Sequence, residues 1–207
     1  MMVDFTSHLT DEQRDQWQAA LGLAQTCRYD AEHCQQVTRL ALRLFDELVP
    51  LHQLTTSDRF WLQCAGILHD IGWVEGWQAH HKHTLNIILS AAELRFNSTE
   101  RYMVASIARY HRRALPNLKH DHFAALKEPD RERVIKLSAL LRVADGLDVS
   151  HAGYVKDIQC QIKDQQIVLT AFASAALTLE EKAALSKADL LQEAYHRKLR
   201  IRWQKIS

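Results

Sequence analysis

Between Asp30 and Val49 the apolar residues Val37, Leu40, Ala41, Leu44, Phe45 and Leu48 return every third or fourth position. That spacing sets them on one stripe of an α-helix and on no single face of a strand. Similar patterns hold through Trp17, Ala20, Leu21 and Ala24, through Phe60, Trp61, Cys64, Ala65 and Leu68, and through Leu85, Ile87, Ile88 and Leu89. They continue in Met103, Val104, Ile107 and Ala108 and in Val134, Leu137, Ala139, Leu141 and Val143. Stripes of this kind bury themselves against one another, so the pattern predicts a mostly α fold built as a helical bundle.

End signals divide the pattern into segments. Thr10 with Gln13 reads as a capping box for a helix to about Thr26, and a second helix runs from about Asp30 to Val49, before Pro50. Thr56 or Ser57 caps a third helix that ends near Gly72, and a fourth spans about His83 to Phe96. Ser98 or Thr99 starts a fifth, to His111. Residues 114–128 read as loop, and Pro129 opens a sixth helix to Asp145-Gly146. Beyond it the period changes to alternation at Ile158, Cys160 and Ile162, then Ile167 to Phe172, which predicts a β-hairpin. Thr178 with Glu181 reads as a capping box for a helical segment to Tyr195, and Leu199-Ile201-Trp203 alternates like a third strand. The expected organisation is a helical domain over 1–152 with a β-hairpin and helix appendage over 153–207, together one globular unit.

With 207 residues, 47% of them hydrophobic, the chain can bury a substantial core without disulfides. Cys27, Cys34, Cys64 and Cys160 lack the close pairing of zinc knuckles or redox dithiols and read as buried thiols in a reducing, cytoplasmic setting. The start Met1-Met2-Val3-Asp4-Phe5 does not resemble a secretory leader, and Ile167 to Leu177 is too short for a membrane span. A net charge of +1 gives no field toward nucleic acid or an anionic membrane.

The titratable residues carry the chemistry. His33 lies in line with Val37, Leu40 and Leu44, and His69 relates similarly to Ala65 and Trp61, His111 to Ile107 and Val104, and Asp145 to Leu141 and Ser138. Each helix thus points an imidazole or a carboxylate inward, where an unpaired charge is costly but ligands sharing a cation satisfy one another. His33, His69, Asp70 and Asp145 form the expected ligand set. Asp70 has a carboxylate that can bridge two cations, so the set suits one divalent ion or two. His and carboxylate ligands do not separate manganese, iron, magnesium, zinc and nickel.

His33, then Leu68-His69-Asp70-Ile71-Gly72, then Asp145 within Leu141-Arg142-Val143-Ala144-Asp145, resembles the H…HD…D signature of the HD superfamily of metal-dependent phosphohydrolases. His80-His81-Lys82-His83-Thr84, Ala108 to Arg113 and Leu140 to Ser150 are similar to the C-terminal HD domain of exopolyphosphatase and guanosine pentaphosphate phosphohydrolase proteins. The likeness spans about 15 to 203. It implies an HD-domain helical bundle and a hydrolase acting on a small phosphorylated substrate, a nucleotide foremost. It also implies a second cation held by His83 and His111, with His81 as substitute for His83, His80 less favoured, and Asp70 bridging. His69 and Asp70 then stand at the catalytic centre.

Polyphosphate hydrolysis in the resembled enzymes belongs to preceding actin-like domains, whose phosphate-binding sequence these residues lack, so that activity does not carry over. Lys82, Arg112 and Arg142 sit beside expected ligands and are the candidates for holding substrate phosphate, or else are surface charges. Asp148 could replace Asp145, donate a proton, or cap the helix end. A non-catalytic module that senses a nucleotide or docks to a protein is the alternative reading, and a homodimer is open. Nucleic-acid binding through Arg197, Lys198, Arg200 and Arg202 is disfavoured by the charge balance.

Overall fold

The computed structural model describes residues 4–206; Met1, Met2 and Val3 of the N-terminus read above, and Ser207, lie outside that range. Ten α-helices occur among the described residues: α1 Asp11–Thr26, α2 Ala31–Glu47, α3 Val49–His52, α4 Thr56–Leu68, α5 His80–Ser90, α6 Ser98–Arg109, α7 Asp121–Ala124, α8 Glu128–Gly146, α9 Thr178–Ser186 and α10 Asp189–Tyr195. A 3-10 turn over Ile71–Glu75 follows α4, and the strands are β1 Asp157–Lys163, β2 Gln166–Ala173 and β3 Lys198–Lys205. No described helix is long and apolar enough to cross a membrane. The chain is mostly helical with a small C-terminal sheet.

Local chemistry explains most boundaries. Thr10 and Gln13 form the expected capping box of α1. The caps of α4 and α6 fall one residue earlier than read, at Thr55 paired with Asp58 and at Asn97 paired with Glu100. In both, the acid at the third helical position reaches back to the backbone N–H of the cap, and that reciprocity selects the start. Thr178 already lies inside α9, whose cap Leu177 has no side-chain acceptor, so the box with Glu181 does not form. The helical segment also breaks at Lys187 and resumes as α10.

The helix read over His83 to Phe96 begins three residues sooner, at His80, and stops at Ser90. Arg101 explains the early stop: its guanidinium donates to the carbonyls of Ile88 (3.1 Å), Ala91 (2.5 Å) and Leu94 (2.5 Å), so these acceptors are satisfied without further helix. The loop read over 114–128 contains the single turn α7. All four cysteines are free, with Cys34 and Cys64 buried and Cys27 and Cys160 only half-buried.

α2 packs on α4 and α8, while α6 packs on α4, α5 and α8. Their apolar stripes, including Leu40, Leu44, Ile67, Leu68, Ile107, Leu137 and Leu141, form the core. The hairpin β1–β2 is antiparallel, and β3 joins the far edge of β2 in parallel after crossing through α9 and α10. A Cβ at Gly146 would strike the backbone of Ala184, so glycine allows α9 to approach α8 closely.

Two local devices set the chemistry-bearing ends of the helices. Thr84 Oγ1 donates to the His69 carbonyl (3.0 Å) and accepts from the Gly72 N–H (3.0 Å), strapping the end of α4 to α5. Gly72 approaches α5 so closely that a Cβ would collide with the His80 carbonyl and Thr84 N. At the end of α6, Tyr110 Oη pairs with His120 Nδ1 (2.8 Å), while His122 Nδ1 pairs with Ser106 Oγ (2.9 Å).

Gly72→Ala is therefore expected to destabilise the protein by about 1–3 kcal/mol, because neither colliding group is the free end of a flexible side chain; urea unfolding measures it, and an unchanged midpoint would contradict the close approach. His122 gives an acid limb. Burial, then His120 and Arg109, lower its pKa from 6.5 to about 4, so between those values the unfolded chain binds a proton that the folded chain refuses. Stability is expected to fall with acidification across that window by up to about 1.4 kcal/mol per pH unit. His122→Gln should flatten this part of the profile, and an unaltered slope would assign it elsewhere.

Candidate metal centre

His33 enters from the first turn of α2, His69 and Asp70 from the end of α4, His80 from the start of α5, His111 from just past α6, and Asp145 from the last turn of α8. Asp70 stands among them. Its Oδ2 lies 3.8 Å from His33 Nε2 and 3.6 Å from His69 Nε2, while its Oδ1 lies 3.2 Å from His80 Nε2 and 3.4 Å from His111 Nε2. Asp145 Oδ1 closes the first group at 3.6 Å from His33 Nε2. Within His33-His69-Asp145, and within Asp70-His80-His111, the ligand atoms all lie within 4.8 Å of one another.

The outer nitrogens of the imidazoles fix which atom faces inward. Nδ1 of His69 donates to the Gly66 carbonyl (2.7 Å), that of His111 to the Ala108 carbonyl (2.7 Å), and that of His80 to the Trp77 carbonyl (3.1 Å). His33 Nδ1 faces Asp148 Oδ2 at 2.9 Å. Where a ring is neutral with Nδ1 carrying the proton, as burial favours for His69 and His111, Nε2 presents a lone pair to the centre. His80 Nε2 and His111 Nε2 come within 3.4 Å of each other, a repulsive approach for two lone pairs unless a proton or cation lies between them. His33 Nε2, His69 Nε2 and Asp70 Oδ1 are buried without a hydrogen-bond partner.

A divalent cation fits this arrangement. Donors bound at about 2.1 Å and set about 90–109° apart stand about 3.0–3.4 Å from one another, close to the separations around Asp70. The charge states suit it too. Burial holds the basicity of His69 and His111 below that of a free imidazole. Burial alone would raise the Asp70 and Asp145 pKa values, but His69, His80 and His111 around Asp70, and Lys187 and His33 beside Asp145, keep both carboxyls below their usual range. His33 differs: burial disfavours its charge, yet Asp145 and Asp148 push its pKa up to about 10.

The family model described as Ppx/GppA phosphatase, domain III, matches residues 17–194. The chain belongs to the Ppx/GppA domain III family. No curated protein matches its sequence.

Within this domain III chain, several residues singled out from sequence stand elsewhere than expected. His83 lies beside Glu75 at 3.8 Å rather than at Asp70, and His81, though buried, has its ring centroid 6.4 Å from that of His111. His80 takes the position expected of His83. Residues 80 and 84 share a helix face, and Thr84 is strapped to α4, so the imidazole on its face turns to Asp70 while His81 and His83 are rotated away. Lys82 is exposed and lines neither cleft at the site. Arg142 is buried, held by Asp189 (2.7 Å) and the Tyr110 carbonyl (3.2 Å), and does not line the cleft over the ligand atoms. Asp148 is behind His33, accepting also from the Gly153 N–H (2.8 Å), so it faces away from the cleft where a proton donor would stand.

Arg112 does reach the site, with Nη1 3.3 Å from His80 Nε2. Two further residues, marked by no pattern in the sequence, reach the cluster. His151 stacks on His33 with centroids 3.6 Å apart and pairs with Asp30 at 2.9 Å, and Lys187 forms an ion pair with Asp145. Neither follows a helical stripe: His151 has a positive φ of 56°, and Lys187 sits in the break between α9 and α10.

Asp148 acts by orienting His33. Asp148→Asn is expected to weaken divalent-metal affinity about 10–100-fold while leaving the circular dichroism spectrum intact. Competition against a coloured chelator reads the change, and an unaltered affinity would mean that packing alone orients His33.

Proposed function

We propose that this chain is a metal-dependent phosphohydrolase of the HD type, acting on a phosphate ester or anhydride such as a nucleotide. The observation that carries the reading is the convergence of imidazole Nε2 atoms, their outer nitrogens already engaged, on the two oxygens of Asp70. A purely structural core would not leave the buried His33 and His69 Nε2 atoms without a hydrogen-bond partner. His33, His69, Asp70 and Asp145 would hold one divalent ion, and Asp70, His80 and His111 a second. Such ions polarise a phosphoryl oxygen and lower the pKa of water toward neutrality. The order His33, His69-Asp70, Asp145 resembles the HD signature, and membership of a phosphatase-related family supports the same reading.

The chain's own residues supply binding and orientation. A cleft of about 310 Å³, lined among others by Asp70, His80, His111, Arg112, Asp145 and Lys187, opens over the ligand atoms. Arg112 has guanidinium hydrogens to donate to phosphate oxygens, and its side chain is steadied over the Trp77 ring at 5.9 Å. The Lys187 ammonium, beside Asp145, offers a further cation to a phosphoryl group. Trp73 and Trp77 wall the cleft, with the buried imidazoles of His80 and His111 beneath.

The protein as purified is expected to contain a divalent metal by elemental analysis. Asp70→Ala should lose both the metal and the release of phosphate from nucleotides tested with manganese, iron or magnesium. Full turnover in Asp70→Ala would rule the role out. His80→Ala should lower metal stoichiometry while His83→Ala leaves it unchanged; the opposite pattern would return the second ion to His83.

A further inference from the structure

The small sheet turns one face to the helices and the other to solvent. Ile158, Ile167, Leu169, Ala171 and Leu199 belong to the apolar core, and side chains alternate across a strand, so the residues between them share the outer face. The registers set Gln166 between Lys163 and Lys198. One step along, Gln161, Val168 and Arg200 form a row, and the next row is Gln159, Thr170 and Arg202. The face thus has three lanes of different chemistry. β3 carries exposed cations, β2 the half-buried Thr170 and Phe172, and β1 the exposed amides of Gln159 and Gln161.

Carboxylates are nearly excluded from it. The chain has 25 acidic residues against 26 Lys and Arg, yet among the strand residues of this face the one acid is Asp157, already engaged by Arg43 Nε at 3.1 Å. Lys163, Lys198, Arg200 and Arg202 form no ion pair among the described residues. The balanced net charge, which argues against a nucleic-acid partner for the chain as a whole, averages over this local surface. Charges on an edge strand also deter pairing with another strand. Mixed signs would serve that purpose equally, and it explains neither the exclusion of acids nor the lane of amides.

Successive cations on β3 stand about 6.6 Å apart, two residues of strand rise, close to the phosphate repeat of an extended nucleic-acid strand. The outer strands lie about 10 Å apart, the reach of a nucleotide from its phosphate to the far edge of its base. Phosphates along β3 would carry bases across Thr170 and Phe172 to the Gln159 and Gln161 amides, which donate and accept as base edges do. In a duplex those edges are already paired, so the fitting ligand is a single strand. An acidic peptide would meet the cations and leave the amides and Phe172 unused. None of these residues lines either cleft at Asp70.

We infer that the outer face of the three-stranded sheet binds single-stranded nucleic acid, with Lys198, Arg200 and Arg202 as its phosphate rail. The inference is independent of the phosphohydrolase reading.

A short labelled oligothymidylate, titrated into the full chain and followed by fluorescence anisotropy, should bind with an affinity that falls as salt rises, at a log–log slope of about −2 for three phosphates. Arg200→Glu combined with Arg202→Glu should weaken it about tenfold or more. Lys119→Glu combined with Lys127→Glu, the same charge change in the loops flanking α7, should leave it unchanged, as should Arg112→Gln at the metal cleft. Circular dichroism verifies that each variant is folded. An abasic strand of equal length keeps the phosphates without the bases and should bind at least about fivefold more weakly, the lower scale of one base stacked on a ring. Binding indifferent to Arg200 and Arg202, or weakened equally by the Lys119 and Lys127 pair, overturns the inference. An abasic strand held as tightly as the oligothymidylate overturns it too, because the face would then sense charge alone.

Discussion

Hydrogen bonds on the outer face of the imidazoles organise everything else at the centre. His69, His80 and His111 each donate Nδ1–H to the carbonyl three residues back, a contact that a helix end or turn provides because its last carbonyls lack intrahelical partners. The same bond satisfies the helix end, chooses the tautomer and aims Nε2 inward. His33 stands at the start of its helix, where no spare carbonyl is near, and Asp148 takes the place of one. The buried cluster of unpaired nitrogens follows from these bonds, not from the packing of the rings alone.

Around that centre the fold brings together ends of helices. α4 contributes its last turn, α5 its first, α8 its last, and the short strap through Thr84 makes the first two of these a single rigid edge. Helix ends are where polar groups can be buried with partners, and so a helical bundle can carry an imidazole cluster in its interior without sacrificing the apolar stripes of the mid-helices. The C-terminal elements add to the site from outside: the close approach of α9 to α8 at Gly146 brings Lys187 to Asp145.

The sequence was most legible where local chemistry decides. The α1 capping box and the inward placement of His33, His69, His111 and Asp145 follow from spacing alone, and the change of period near Ile158 announces the hairpin. Local signals fall short where a distant group intervenes. The early end of α5 depends on Arg101, which lies in the next helix. The parallel entry of β3 depends on how α9 and α10 cross the sheet.

What the sequence by itself determined is the set of helical stripes and the titratable residues that ride on them, because periodicity is a property of neighbouring residues along one chain. Only the tertiary structure decided which of three close histidines meets Asp70, that Arg142 is tied to Asp189 of α10, and that His151 and Lys187 come to His33 and Asp145. Those outcomes depend on the phase of α5 locked by Thr84 and on loops that return from far along the chain. No spacing within a segment encodes the distance between two segments; packing does.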